Sequence, residues 1–305
     1  MYSNVRTSMA VLAAITLALV TTSTTSLPQA SAKAKIQCKP SVGFAQVDPV
    51  VSRGAVKSAH LHEYFANKTM LTLDAPQNAT YSQLAGKTTQ CENAGDTAAY
   101  WTPALLRNGT KLPAARFIAY YRSFDHQDVG QAQAYPADMR MVTGTEPDGL
   151  RHYNWTCGQN SSMSNPVFVI PDCSKSSGTT YLTVHYDFPS CWDGKLNQHT
   201  GDGNTADFAP SGVTNHLAFY RKGRPSSCPS GFPIKLPELR ETISWGDGSP
   251  SYWNKSELRL SSDEAGQPAG SSSHADFWNT WVQAELVDMV AQCVNKAPAS
   301  GAKCD

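Results

Sequence analysis

Charge is scarce in this sequence, and neither sign is in excess. Of the 305 residues only 16% are charged, and 25 basic residues are matched by 25 acidic ones. Nucleic acids and anionic membrane surfaces are bound by proteins with a strongly basic face. We therefore expect neither of them as a partner.

Hydrophobic runs of membrane-spanning length are also missing. The main apolar run, residues 9–20, is too short to cross a bilayer; it follows Arg6 and precedes the small residues "QASA", which end at Ala32. That order is typical of a secretory signal peptide. We predict a signal peptide over residues 1–32 and a single globular domain over residues 33–305, with its core at about 38–293. The expected product is a secreted, extracellular monomer without a transmembrane segment.

Several catalytic and repeat signatures are absent as well. No two cysteines form a C-x-x-C pair, so a zinc ribbon is not expected. No G-x-S-x-G motif is present, which argues against a serine nucleophile of the α/β-hydrolase type. No unit is repeated along the chain, which argues against solenoids and propellers.

Eight cysteines are present, and in an exported chain an even number is expected to form disulfides. Spacing alone does not establish their connectivity, but loop closure favours partners that are close in sequence. Sequential pairing is the simplest hypothesis: Cys157–Cys173 and Cys293–Cys304 first, then Cys38–Cys91 and Cys191–Cys228.

The hydrophobic pattern predicts a mainly β fold. β-branched and aromatic runs bounded by Pro, Gly or Asn indicate short strands at residues 116–124, 166–173, 179–189, 216–221 and 241–246. One stretch, residues 274–295, has apolar residues close to a 3.6-residue period and predicts a helix, with Ser271–Ser273 as its N-cap. We expect an antiparallel, jelly-roll-like β-sandwich with elaborated loops and one packed C-terminal helix, stabilised by disulfides.

Histidines in three separate motifs are the candidate functional residues. His60 and His62 in "SAHLHEYFANKT" lie one residue apart, so in an extended segment both point to the same face while Glu63 points away. His216 lies in "TNHLAFY", and His274 in "SSSHADFWNTW" together with Asp276.

These motifs resemble those of a known family. "AHLHEYFANKT", "CENAGDTAAYWTPAL", "FPSCWDGKLNQHT", "NHLAFY", "SSCPSGFPIKLPEL" and "SSSHADFWNTW" follow one another as they do in the secreted bacterial and fungal proteins of domain-of-unknown-function family 1996. The resemblance runs from about Cys38 to Cys293. It implies little mechanism, because the family is defined as one of unknown function.

The resemblance carries over motif by motif. The pattern H-x-H-D/E-Φ-F-G-N matches this chain from His60 to Asn67, but the chain has Ala66 where the family usually has Gly, which implies that the turn there need not use a positive φ. The carboxylate is Glu63 where the family often has Asp. The remaining motifs match at Cys191, Trp192, Asp193 and Gly194; at His216, Leu217 and Tyr220; and at His274, Ala275, Asp276, Phe277, Asn279 and Trp281. The resemblance implies that the histidines meet in space.

Three interpretations of the histidines follow. They are metal ligands, with His60, His62, His216 and His274 as candidates for a divalent ion and Asp276 or Glu63 beside them. Alternatively they are acid and base groups without a metal, the catalytic candidates being His60, His62, Glu63, His216, His274 and Asp276. Or they anchor loops by hydrogen bonds. A copper brace is disfavoured because a mature chain that begins at Lys33 has no N-terminal histidine.

Two functions remain open. The first is an extracellular enzyme that cleaves polysaccharide, a glycosidase or a polysaccharide lyase. The second is a non-catalytic protein that binds polysaccharide or cell wall. Trp192 and Trp253 are flanked by Gly, Asp, Asn and Ser, so they are expected on exposed loops, where their aromatic faces can stack on sugars. The predicted substrate-binding residues are Trp192, Asp193, Tyr220 and Asn279. A cleft lined by three or more of the histidines would favour the enzyme, whereas pairing of every ring nitrogen with backbone would favour the binding protein.

Overall fold

The computed structural model describes Met1 and residues 33–123, 132–145, 149–158, 166–173, 181–196, 216–220, 228–246, 253–296 and 304. The predicted signal peptide lies outside the described residues apart from Met1. Among the helices of these described ranges, none has the length and apolar character that a membrane crossing requires.

Strands dominate the described residues. They are β1 Lys33–Cys38, β2 Gly43–Ala45, β3 His62–Ala66, β4 Ala99–Pro103, β5 Leu105–Arg107, β6 Thr110–Lys111, β7 Arg116–Arg122, β8 Arg140–Thr143, β9 Tyr153–Cys157, β10 Leu182–Asp187, β11 Cys191–Trp192, β12 Leu217–Ala218, β13 Ile234–Lys235, β14 Glu238–Trp245, β15 Leu258–Leu260 and β16 Ala275–Trp278. Two α-helices, α1 Tyr81–Leu84 and α2 Gln283–Met289, accompany them, and α2 continues as a π-helix over Val290–Val294.

The strands form two five-stranded antiparallel sheets. The first sheet has the order β1-β7-β14-β10-β9, and the second has the order β2-β3-β4-β16-β8. Two smaller sheets, β12-β11-β13 and β15-β5-β6, flank them. The predicted mainly β, antiparallel fold with a C-terminal helix is confirmed.

The two large sheets pack face to face around an aromatic core. Along β14, Leu239, Ile243 and Trp245 share one face and enter this core, as the two-residue period of a strand requires. Phe65 of the second sheet stacks on Phe117 of the first, with ring centroids 4.7 Å apart. The sandwich interior is therefore filled by large side chains contributed from both sheets.

The outer face of the second sheet is also covered. Tyr64, Trp101 and Trp278 project from it into a second cluster of buried side chains, where Met70 and Leu84 from the segment after β3 meet them. Residues on this outer face thus lie beneath loops rather than in solvent.

Four disulfides include all eight cysteines: Cys38–Cys91, Cys157–Cys173, Cys191–Cys228 and Cys293–Cys304. These are the sequential pairs that loop closure favours. Four disulfides are consistent with a protein of an oxidising, extracellular compartment.

The structure corrects several predicted elements. Residues 166–173 form no strand, and the strand predicted over 216–221 is reduced to β12. The helix predicted over 274–295 begins only at Gln283, because Ala275–Trp278 pair with β4 and β8 as strand β16. Ser271–Ser273 therefore cap no helix.

Ala66 and Trp253 differ from expectation as well. Ala66 has a φ of 63°, so the turn after β3 uses a positive φ although the residue is alanine. Trp253 is only 3% exposed and lies against Arg107, so it is a core residue rather than an exposed sugar platform.

Candidate functional site

Strand β3 positions the first two histidines. His62 opens the strand and points to the outer face of the second sheet, together with Tyr64. His60 lies just before the strand, and its ring centroid is 4.4 Å from that of His62. The hydroxyl of Ser58 donates to the carbonyl of His60 at 2.6 Å, which holds the turn that leads into the strand.

His274 approaches this pair across strand β4. His62 pairs with Pro103, and Asp276 of β16 pairs with Trp101, so the residue two positions before Asp276 lies level with Pro103 on the other side of β4. The hydroxyl of Thr102 donates to the carbonyl of His274 at 2.8 Å and holds it there. The sheet therefore brings together histidines that are far apart in sequence.

The three rings form a compact group. The Nε2 atoms of His60 and His274 are 3.1 Å apart, and the ring centroids of His62 and His274 are 6.0 Å apart. One ring nitrogen of each histidine lies within 4.8 Å of the other two. A single metal ion could be held by these residues, and we call them the histidine triad.

Backbone carbonyls determine the tautomers of two members of the triad. The Nδ1 of His62 is 2.9 Å from the carbonyl oxygen of Val47, and the Nδ1 of His274 is 2.9 Å from that of Ser272. A carbonyl only accepts, so both Nδ1 atoms carry the proton and each Nε2 has a lone pair. The lone pair of His274 faces the Nε2 of His60, whereas that of His62 has no partner.

Burial keeps the triad neutral. Desolvation lowers the pKa of His60 to about 3, with the neighbouring His274 as a further cause, and it lowers the pKa of His62 and His274 as well. His62 is fully buried, while His60 and His274 are half-buried. The triad is thus a neutral centre, with His62 buried and His60 and His274 partly accessible.

The two carboxylates expected beside the histidines are not available to solvent. Glu63 points into the sandwich, where it accepts a hydrogen bond from the amide of Ala114 at 2.7 Å, and burial raises its pKa to about 7. Asp276 is 0% exposed, neither of its oxygens has a hydrogen-bond partner, and burial raises its pKa well above the usual range. Neither carboxyl hydrogen-bonds a histidine of the triad, so the predicted catalytic role of Glu63 and Asp276 is not supported.

His216 lies outside the triad. It precedes β12, and its Nδ1 is 2.8 Å from the Oδ2 of Asp193. The amide of Lys195 donates to the other oxygen of Asp193 at 2.8 Å, and the indole of Trp192 donates to the carbonyl of Lys195 at 2.7 Å. Trp192, Asp193 and His216 thus form a separate half-buried group, and of the two alternatives for the third histidine it is His274 rather than His216 that lies beside His60 and His62.

The other two predicted substrate-binding residues differ in accessibility. Asn279 is 0% exposed, and its amide donates to the carbonyls of Tyr135 and Pro136, so it is a structural residue. Tyr220 is half-buried beside β12.

Some residues around the triad were not predicted. The carbonyl of Val47 also accepts from the hydroxyl of Tyr64 at 2.6 Å, and the neighbouring Asp48 is buried with its pKa raised to about 6 by desolvation. Glu241 is 0% exposed with no hydrogen-bond partner for either oxygen. Its position could have been predicted, because in "ELRETISW" it alternates with Leu239 and Ile243 on the core face. A backbone carbonyl such as that of Val47 has no sequence signal.

Comparison with known proteins gives one family. The family model described as "Domain of unknown function (DUF1996)" matches residues 48–281, a span that contains the whole triad. No curated protein and no solved structure is significantly similar to the chain.

Proposed function

Because the chain belongs to the DUF1996 family, whose description names no activity, we propose a function from the geometry of the site. The protein is an extracellular enzyme that cleaves polysaccharide at the histidine triad. The four disulfides support the extracellular setting. The balanced charge of the chain supports a partner other than nucleic acid.

The convergence of His60, His62 and His274 around the unused Nε2 of His62 carries this proposal. Histidines that merely anchor loops are expected to have both nitrogens paired, because an unpaired buried polar atom costs about 1–3 kcal/mol. His62 has its Nε2 buried without a partner, and the facing Nε2 atoms of His60 and His274 share at most one proton. A buried nitrogen without a partner beside two further imidazoles is a feature of reactive centres.

The geometry favours lyase chemistry over hydrolysis by paired carboxylates. A glycosidase of the usual kind needs two carboxyl groups that flank the sugar bond. Glu63 and Asp276 are fully buried and cannot reach a sugar chain. A polysaccharide lyase instead needs a base that accepts the proton next to the sugar carboxylate, and the neutral imidazoles of His60 and His274, which are only partly buried, can accept one.

The test is a digestion screen with wild-type protein purified from culture medium without a His-tag. Neutral and uronate-containing wall polysaccharides are incubated with the protein, and the products are separated by mass and assayed for the ultraviolet absorbance of unsaturated uronates. We expect cleavage of a uronate-containing polymer, a loss of at least a hundredfold in rate for His60→Ala, and a wild-type rate for the control His216→Ala.

Binding without cleavage would overturn this proposal. If folded wild-type protein is pulled down by a polysaccharide and releases no product from any polymer of the panel, the protein is the non-catalytic wall-binding protein. Cleavage that is unchanged in His60→Ala would also overturn it, since the reaction would then occur elsewhere.

A further inference from the structure

The orientation of the imidazoles in the triad is that of metal ligands. In metal sites a ligating histidine usually donates its other ring nitrogen to a carbonyl or carboxylate, which fixes the ring and its tautomer. His62 does so to the carbonyl of Val47 and His274 to that of Ser272, each at 2.9 Å. Both rings therefore present an Nε2 lone pair to the space that they share with His60.

The spacing of these nitrogens is close to that around a tetrahedral ion. Bonds of about 2.0–2.1 Å in tetrahedral geometry place two ligand nitrogens about 3.3 Å apart. The Nε2 atoms of His60 and His274 are already 3.1 Å apart, and the ligand atoms of all three residues lie within 4.8 Å of one another.

The buried Nε2 of His62 supplies an independent indication. This residue is 0% exposed, and its Nε2 has no hydrogen-bond partner. A lone pair that is removed from water without a partner is destabilising, and an ion at the centre of the triad would satisfy it. A hydrogen bond between His60 and His274 alone leaves His62 unsatisfied.

The chemistry of the donors selects the ion. Three imidazoles without thiolate or exposed carboxylate favour zinc and its neighbours over calcium and magnesium, which take oxygen ligands. Three protein ligands with a fourth position facing solvent form the arrangement of catalytic zinc. His60 and His274 are only partly buried, so the fourth position would lie on their side of the triad.

We infer that the triad binds one divalent transition-metal ion, zinc by preference, through the Nε2 atoms of His60, His62 and His274. This inference rests on the proposed function in that it concerns the same centre. The ion would act as a Lewis acid at the open position, where it binds water or the acidic group of a sugar.

The experiment is metal analysis by mass spectrometry on the untagged full-length secreted protein. We expect near-stoichiometric zinc in the wild type and in the control His216→Ala, which removes a histidine outside the triad. We expect zinc to fall at least tenfold in His274→Ala and in the His60→Ala/His62→Ala double variant. Circular dichroism identifies any variant that has lost its fold.

A second measurement keeps the test decisive if the variants fail to fold. Wild-type protein is stripped with a chelator and titrated with Co²⁺, for which we expect the visible absorption of a four-coordinate nitrogen site and a higher melting temperature. A folded, stripped protein that gives neither change overturns the metal site. Metal binding without polysaccharide cleavage refutes the proposed function alone, and histidine-dependent cleavage by metal-free protein refutes the metal alone.

Discussion

Ala66 stores backbone strain at the end of β3. Its φ of 63° lies in the left-handed region, which costs a residue with a side chain about 1 kcal/mol or more. The next residue explains why the strain is kept, because the buried amide of Asn67 donates to the carbonyls of Leu84 and Thr97. The backbone must turn sharply at Ala66 for Asn67 to reach both carbonyls.

Substitution to glycine should reveal this strain. Ala66→Gly removes a buried methyl group, which costs about 1 kcal/mol, but it also relieves the left-handed conformation, so we expect little change in the free energy of unfolding. Its strand partner Ala99 is equally buried without a positive φ, and Ala99→Gly should destabilise by about 1 kcal/mol more. Chemical denaturation measures both values, and equal losses would contradict the argument.

A buried acid couples stability to pH. Asp96 is 0% exposed and is held by the hydroxyl of Tyr100, at 2.8 and 3.0 Å from its two oxygens. Desolvation raises the pKa of Asp96 from 3.8 to about 7. In the folded protein the carboxyl is therefore protonated at pH values where the unfolded chain has already lost that proton.

The sign of the effect follows from this difference. Between pH 4 and 7 the folded state binds one proton more than the unfolded state. As the pH rises through this range, the free energy of unfolding of the wild type therefore falls relative to that of Asp96→Asn, by up to about 1.4 kcal/mol per pH unit. The asparagine variant keeps an acceptor for Tyr100 and cannot ionise. Urea denaturation of both proteins across this range is the measurement, and parallel stability curves would show that Asp96 ionises normally.

The loop between β15 and β16 positions His274 beside the other two histidines of the triad. Within it, one oxygen of Asp263 accepts from the amides of Leu260 and Gly270, at 2.7 and 2.8 Å, and the other accepts from the hydroxyl of Ser272 at 2.6 Å. Ser272 in turn supplies the carbonyl that orients the ring of His274. Asp263 is thus a positioning residue that acts through the backbone.

Loss of Asp263 should disturb the triad from a distance. If the triad binds zinc as inferred, we expect Asp263→Ala to weaken that binding by about tenfold or more, because loss of the groups that orient a ligating histidine lowers metal affinity. Asp263→Asn, which keeps one acceptor oxygen, should recover part of the affinity, and the exposed neighbour change Glu264→Ala should have no effect. Competition with a zinc chelator measures affinity, and a stable Asp263→Ala protein with wild-type affinity would refute the role.

At the scale of the molecule, residues 88–92 tie the two large sheets together. On one side the amide of Gln90 donates to the carbonyl of Ala66 in the second sheet, and on the other the amide of Glu92 donates to that of Gln37 in the first. The disulfide between Cys38 and Cys91 lies in this connection and spans 53 residues of sequence. This disulfide fixes the segment that connects the two sheets to strand β1 of the first sheet.

We therefore expect removal of different disulfides to destabilise the protein by different amounts. Chain-entropy loss predicts a cost of about 4 kcal/mol for replacing Cys38 and Cys91 by alanine and about 3 kcal/mol for Cys293 and Cys304, which span 11 residues. The first pair also joins the sheets, so we expect the larger fall in melting temperature there. Calorimetry of the two double variants tests the order, and the reverse order would contradict it.

Local sequence patterns determined the strand faces and the disulfide pairing of this protein. The two-residue period of a strand accounts for the core face of β14, and the same period predicted that His60 and His62 lie on one side and Glu63 on the other. Loop closure favoured the disulfide pairs that the structure has. Each of these features depends on residues that are close in sequence, so the chain itself carries the information.

Tertiary structure decided what depends on distant residues. Phe277 and Trp281 fit a helical period, yet pairing with β4 and β8 makes Ala275–Trp278 a strand. The same pairing brings His274 to His60, while Asp193 holds His216 elsewhere. Strand pairing across the sheet is a non-local interaction that overrides local propensity, and for this reason only the fold could select which histidines form the centre.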